Sequence, residues 1–331
     1  DFTEKYGAKF LQTISQNGVR AKYMQPSYPS VTFPNHYTIV TGLYPAHHGL
    51  VDNTYIDVPT GQQYSMANKK MVGEGKWYGG TPLWVLAEQQ KMLSASFFWV
   101  ASEADIQGIK PTYHYIYNDK TNIGTRIQAV KNWLMLPEDR RPHMITFYFP
   151  DVDHDAHTYG PEDPRVKKSV QFIDSSINAL QAALAPLNLP INYVFVSDHG
   201  HPSPGLTNPN SKVFFRIPFL IWGEELKDTY RGKINDKIGS QADIAATLLY
   251  QVGGNLKKFP WSKDLLNPSC PEFALLAINR GYGWVSKKGH YVYQMDSKTE
   301  LENSFLKEDQ KEEIKNCNAF LTRFYKDFKD L

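Results

Sequence analysis

Two short segments of this chain concentrate carboxylate and imidazole groups. Residues 150–157 read Pro-Asp-Val-Asp-His-Asp-Ala-His, with Asp153 and His157 four apart. Residues 197–200 read Ser-Asp-His-Gly, with Asp198 and His199 adjacent. Carboxylate oxygen together with imidazole nitrogen is a good donor set for zinc. Either cluster alone is also what a solvated acidic loop or a chance Asp-His pair looks like. Four donors of mixed O/N type suggest two metals, a pair suited to displacement at phosphorus. A third segment, Pro29-Ser30-Val31-Thr32-Phe33-Pro34-Asn35-His36, offers a hydroxyl. A free threonine is a poor nucleophile at neutral pH, but a cation lowers the pKa of an oxygen bound to it. A helix N-terminus would add a field that favours phosphate. The same position equally suits a helix N-cap, and on residue chemistry alone that simpler role leads.

These groups need a scaffold, and the apolar periodicity supplies one. Residues 3–17 read as a helix leading into a strand at 19–24, and 26–34 as a Pro/Ser-rich loop. Helices are predicted around 37–41, 83–90, 126–134 and 241–252, and strands at 95–100, 144–149, 193–196 and 219–221. Val166, Val170, Ile173, Ile177, Leu180 and Leu184 recur at spacings of three and four, predicting an amphipathic helix over 165–185 that Pro186 ends. Strands alternating with helices predict an α/β fold with a largely parallel sheet. Ligands in such sheets sit beyond the carboxyl ends of the strands. Both carboxylate–imidazole clusters follow a predicted strand. The charged tail, 301–331, carries Cys317, Phe320, Leu321, Phe324 and Phe328 on one helical stripe and reads as a helix docked on the body.

Composition narrows the class. The 331 residues are 41% hydrophobic and 21% charged, ordinary for a globular chain of one large domain or two small ones. A net charge of +2 gives no electrostatic case for binding DNA or RNA, so a nucleotide would have to bind through a local site. No apolar run approaches the roughly 18 residues that would span a bilayer. Cys270 and Cys317 are too few for a zinc framework and leave one disulfide or two free thiols open. The chain starts at Asp1 without a Met, so a leader sequence is neither shown nor excluded.

The run Met24-Gln25-Pro26-Ser27-Tyr28-Pro29-Ser30-Val31-Thr32-Phe33-Pro34-Asn35-His36, with Thr41-Gly42-Leu43-Tyr44-Pro45-Ala46-His47-His48-Gly49 and Asp52-Asn53, resembles the nucleotide pyrophosphatase/phosphodiesterase family of the alkaline phosphatase superfamily. So do Trp77-Tyr78-Gly79-Gly80-Thr81-Pro82-Leu83-Trp84, Phe97-Phe98-Trp99, His154-Asp155-Ala156-His157-Thr158-Tyr159-Gly160-Pro161 and Ser197-Asp198-His199-Gly200. The resemblance covers residues 1 to about 200. It implies a single alkaline-phosphatase-like sandwich: a central, mostly parallel sheet flanked by helices. It implies two zinc ions, one on Thr32, Asp198 and His199, the other on Asp153 and His157. Thr32 matches the nucleophile that forms a phosphothreonine. Asn53 matches the amide that holds a non-bridging phosphate oxygen. Phe33 and Tyr117 match the two rings that sandwich a nucleobase, and Trp99 a wall of that pocket, with a core aromatic as its plainer role. The substrates implied are nucleotides or other small phosphodiesters, and the location periplasmic or extracellular.

The pattern departs from the family in two places. The chain starts just downstream of the family's Asp-Gly-Phe-Arg strand end, and Asp1 is not a counterpart of its metal-binding Asp. No match to the family's late His-Gly-Tyr histidine follows Gly200: His201 is off-pattern and His290 has other neighbours. Residues 199–270 instead resemble sulfatase-like and lipoteichoic-acid-synthase-like members of the superfamily, with Arg216 where many of those carry a histidine before Ile-Pro. The chain so divides into a phosphodiesterase-like part (1–200), a sulfatase-like part (201–300) and a terminal helix (301–331). Two alternatives follow: a phosphomonoesterase or glycerol-phosphate transferase, and a fragment or pseudoenzyme lacking two metal ligands.

Overall fold

The computed structural model describes residues 2–22, 24–200, 217–278 and 280–329. Gly7, at φ +68°, breaks the amino-terminal helical stretch in two, α1 (Phe2–Lys5) and α2 (Lys9–Asn17). The first strand is shorter than predicted, β1 (Val19–Ala21). Beyond it Met24 and Gln25 make only isolated bridges, to Ile217 and Ser240. The Pro/Ser-rich loop then delivers α3 (Thr32–Thr41), which starts five residues before the predicted helix. Pro34 through Thr41 are all buried, including the polar Asn35, His36, Thr38 and Thr41, so α3 is an internal helix. It is followed by α4 (Pro45–His48), the hairpin β2 (Thr54–Asp57) and β3 (Gln62–Ser65), α5 (Lys69–Val72) and α6 (Leu83–Gln89).

A three-stranded parallel sheet comes next. It is built from β4 (Ser94–Phe97), β5 (Tyr113–Tyr115) and, after α7 (Ile123–Leu134), β6 (Met144–Phe147), in the order β5-β4-β6. β4 stops at Phe97 rather than running to Val100, because Phe98 turns into the left-handed region (φ +70°). Residues past β6 are not the acidic loop that their composition suggests. They form α8 (Asp151–Tyr159), and Asp163 then caps α9 (Pro164–Leu184) by accepting from the Arg165 amide. The predicted stripe of α9 is divided between two neighbours. Val166 and Val170 pack with Tyr6, Ala8 and Ala156, while Leu184 joins Ala95, Phe97 and Trp133 against the parallel sheet.

The remaining strands add a mixed sheet beside the parallel one. β7 (Asn192–Val196), β8 (Phe219–Gly223) and β9 (Lys233–Asn235) join β1 in the order β7-β8-β1-β9, in which β8 is antiparallel to both its neighbours. After α10 (Asp243–Gln251) comes a unit absent from the sequence prediction. It is a four-stranded antiparallel meander, β10 (Phe273–Ile278), β11 (Gly281–Ser286), β12 (Gly289–Gln294) and β13 (Thr299–Asn303). The terminal helix therefore starts later than 301, as α11 (Lys307–Lys329). It buries Cys317 and Leu321 against Leu275, Trp284 and Tyr291, and Trp284 Nε1 donates to Glu313 Oε2 at 3.0 Å. Phe328, at 50% exposure, is not part of the docked stripe. Cys270 and Cys317 are both buried free thiols. No helix among the described residues is long and apolar enough to cross a membrane.

Candidate active site

Thr32 does not cap α3. The N-cap is Val31, in extended conformation, with no side-chain capping bond. Thr32 is the first helical residue, and its hydroxyl oxygen stands 3.5 Å from His199 Nε2. One helical turn on, His36 bonds through Nδ1 to the Thr32 carbonyl at 2.8 Å and lies 3.4 Å from Asp198 Oδ2. Its ring is wedged between Trp99 and Tyr148, with centroids 4.9 and 4.7 Å away. Burial holds the His36 imidazole below its ordinary pKa, against the opposing pull of Asp198. His36 so acts as a brace for the first turn of α3. Its signal in the sequence was the i, i+4 spacing from Thr32, which puts both on one helix face.

Asn53, just before β2, reaches back to the same turn, where its Oδ1 accepts from the Phe33 amide at 2.9 Å. A backbone N–H can only donate, so this contact fixes the flip of the Asn53 amide and leaves Nδ2 to donate elsewhere. Nδ2 is thereby a candidate donor to an anion beside Thr32.

The two carboxylate–imidazole clusters leave the ends of β6 and β7 and converge. On α8, Asp153 and His157 share a face, with Oδ1 and Nε2 3.1 Å apart. Past β7, His199 Nε2 is 3.5 Å from Asp198 Oδ2 and 3.7 Å from Asp153 Oδ1. Asp153 so links the two clusters. Zinc bonds of about 2.0–2.1 Å imply tetrahedral donor–donor edges of roughly 3.3–3.4 Å. The separations of 3.5–3.7 Å around His199, from Thr32, Asp198 and Asp153, are near such edges and longer than good hydrogen bonds, while the 3.1 Å between Asp153 and His157 is an ordinary hydrogen-bond length. In donor chemistry these residues fit zinc. Among the described residues no group of three or more His, Cys, Asp and Glu side chains is gathered closely enough to hold a metal ion. Asp1, His201 and Arg216 lie outside the described residues. His290 sits elsewhere, in β12, bonded to Glu302 Oε2 and to the Ser304 hydroxyl at 3.0 and 2.7 Å.

The aromatic candidates flank this centre. The half-buried Phe33 ring meets Tyr64 at 6.4 Å. Trp99 donates through Nε1 to the His36 carbonyl at 3.2 Å and packs against the main core, so part of its surface is core wall. Tyr117, 39% exposed, meets Phe98 edge-on at 5.3 Å and lines a pocket of about 170 Å³ with Arg126 and Asp151. Phe33 and Tyr117 make no ring contact with each other.

Arg126 has no precedent in the sequence reading. The residue is only 5% exposed, and its guanidinium is surrounded by Phe97, Phe98, Phe147 and Phe149 at 4.3–5.3 Å and bonds the Tyr148 carbonyl. Burial lowers its pKa to about 10. It anchors the turn from β6 into α8, which carries Asp153. Nothing in the sequence separates such an arginine from a surface residue of an amphipathic helix.

The family model "Type I phosphodiesterase / nucleotide pyrophosphatase" matches residues 1–212. The human ectonucleotide pyrophosphatase/phosphodiesterase family member 1 is 41% identical over 192 residues, which are 57% of this chain and 21% of that protein. The venom phosphodiesterase of Naja atra is 40% identical over 192 residues, 57% of this chain and 23% of its own length. The matched stretch thus spans about a fifth of these relatives. Among solved structures, murine ectonucleotide pyrophosphatase/phosphodiesterase 5 superposes with a TM-score of 0.68 at 18% identity, over 77% of this chain and 92% of that one. An inactive variant of the murine protein in complex with AMP gives 0.64 at 17%, with the same coverage. The structural likenesses bear on the fold, which is that of the alkaline-phosphatase-like α/β enzymes. With the matched family model spanning most of its length, the chain belongs to the type I phosphodiesterase / nucleotide pyrophosphatase family.

Proposed function

We propose that this chain hydrolyses phosphodiester or pyrophosphate bonds of nucleotides, with Thr32 as nucleophile and two zinc ions as cofactors. The observation that carries this is the position of Thr32: first residue of a buried helix, its hydroxyl free of capping duty and 3.5 Å from His199 Nε2. Asp198, His199 and Thr32 would hold one zinc, and Asp153 and His157 the other. When bound, zinc supplies a lowered pKa for a coordinated oxygen and charge neutralisation at phosphorus.

Thr32 Oγ1 attacks phosphorus in line, and the hydroxyl proton leaves with the departing alcohol or phosphate. Water then cleaves the Thr32–phosphorus bond and restores the hydroxyl. Asn53 Nδ2 donates to a non-bridging oxygen throughout, and the His36 brace keeps the Thr32 turn from rotating. Phe33 and Tyr117 would take the nucleobase between them, with Trp99 as a wall. The AMP complex of the murine relative supports a small nucleotide as ligand. The names of the ectonucleotide and venom relatives support action outside the cytoplasm.

The test is turnover of bis(p-nitrophenyl) phosphate before and after chelation, then with zinc restored. Activity should disappear and return; activity indifferent to chelation overturns the metal role. Thr32→Ala should abolish turnover yet keep AMP affinity. Faster turnover of p-nitrophenyl phosphate than of the diester would favour the phosphomonoesterase alternative.

A further inference from the structure

Gln241 lies just before α10, outside residues 1–212, and is fully buried at 0% exposure. Every hydrogen-bonding atom of its amide except one lone pair is engaged. Oε1 accepts from the Ser27 amide at 2.9 Å, and Nε2 donates to the Ser197 carbonyl at 3.2 Å and to the Asp198 carbonyl. Its backbone amide donates to the Gln25 carbonyl at 2.8 Å. The Asp198 carbonyl also accepts from Asn35 Nδ2, in α3, at 2.8 Å. One side chain so ties the approach to the nucleophile helix, Ser27, to the turn that presents Asp198 and His199. With no water able to reach it, the strap has no substitute for these bonds.

We propose that Gln241 is a positioning residue of the active site. It holds the Asp198 backbone so that Oδ2 faces His199 and His36, and the segment past the family-matched region thereby completes the site. This rests on the hydrolytic reading above. Partners one shell out from a metal ligand typically govern affinity or activity by about 10–100-fold.

The experiment compares the full chain with Gln241→Met, close in volume and unable to make these bonds. Zinc affinity by chelator competition should fall about ten-fold or more for one ion, and kcat about ten-fold, with KM within about two-fold. Exchange of the Ser27 amide should quicken in metal-free protein. A Gln241→Met protein with wild-type zinc affinity, kcat and Ser27 exchange overturns the inference. Should wild type bind no zinc, the hydrolytic reading fails, and the strap is still judged on Ser27 exchange. Should Gln241→Met not fold, the wild-type Ser27 amide decides: strong protection supports the strap, and exchange at the rate of an open loop overturns it.

Discussion

The hydroxyl oxygen of Thr32 and Nε2 of His199 stand 3.5 Å apart, although 167 residues separate them in the chain. That is too long for a strong hydrogen bond and near the edge length of two donors on one zinc. The pairing predicts an asymmetry between substitutions. Thr32→Ser keeps an oxygen at the same helical position and should retain measurable diesterase activity. Thr32→Ala should lose about three orders of magnitude or more in kcat, as removing a nucleophile does. Steady-state kinetics on bis(p-nitrophenyl) phosphate read both. Equal loss in the two variants would mean that the oxygen is not what the site uses.

The Asn53 side chain bonds through the oxygen end of its amide, which accepts from Phe33 N at 2.9 Å. If Nδ2 steadies a developing phosphoryl charge, Asn53→Ala should lower kcat about 10²–10³-fold. Asn53→Asp, with an acceptor in place of the donor, should be at least as damaging. An effect confined to KM would assign Asn53 to ground-state binding instead.

If Tyr117 is one face of a base site, substituting it should separate nucleotide from non-nucleotide substrates. Its half-exposed ring rests on Phe98 and is not built into the core. Tyr117→Ala should raise KM for a nucleotide substrate by about ten-fold or more, from a stacking contribution of roughly 1–3 kcal/mol. The same variant should act normally on bis(p-nitrophenyl) phosphate. An unchanged nucleotide KM would remove Tyr117 from the base site.

Legibility in the sequence followed the range of the interaction. The α9 helix was readable because its apolar period is local, and the metal-donor candidates were readable because strands β6 and β7 end directly before them. Pairing of β1 with β8, Val19 opposite Ile221, was not, since no local pattern fixes partners some 200 residues apart. The meander was missed for a different reason. Strand β13, Thr-Glu-Leu-Glu-Asn, is polar and largely exposed, and β11 carries glycines at 281 and 283, so neither reads as a strand. Thr32 illustrates the limit within the site. Its residue type and helix-start position fitted a cap, and only the resemblance marked it as a nucleophile. His36, Arg126 and Gln241 gained their places through burial among distant segments, which composition does not encode.

His48 is fully buried; its Nδ1 accepts from the Leu50 amide at 3.2 Å, which leaves Nε2–H to donate to the Thr38 hydroxyl at 3.0 Å. Protonation would set a second donor against the Leu50 N–H, and burial pushes the His48 pKa from 6.5 down to about 3. Burial also lowers the neighbouring His47. The folded pKa therefore lies below the unfolded one, and between about pH 6.5 and 3 the unfolded chain takes up the proton that the folded chain refuses. Stability should fall as pH falls through that window, by up to about 1.4 kcal/mol per pH unit for each such histidine. Urea unfolding at pH 7, 6 and 5, on chelated protein so that metal release adds nothing, gives the slope. His48→Gln should flatten it by up to one proton's worth. A slope identical to wild type would show that His48 titrates alike in the folded and unfolded states.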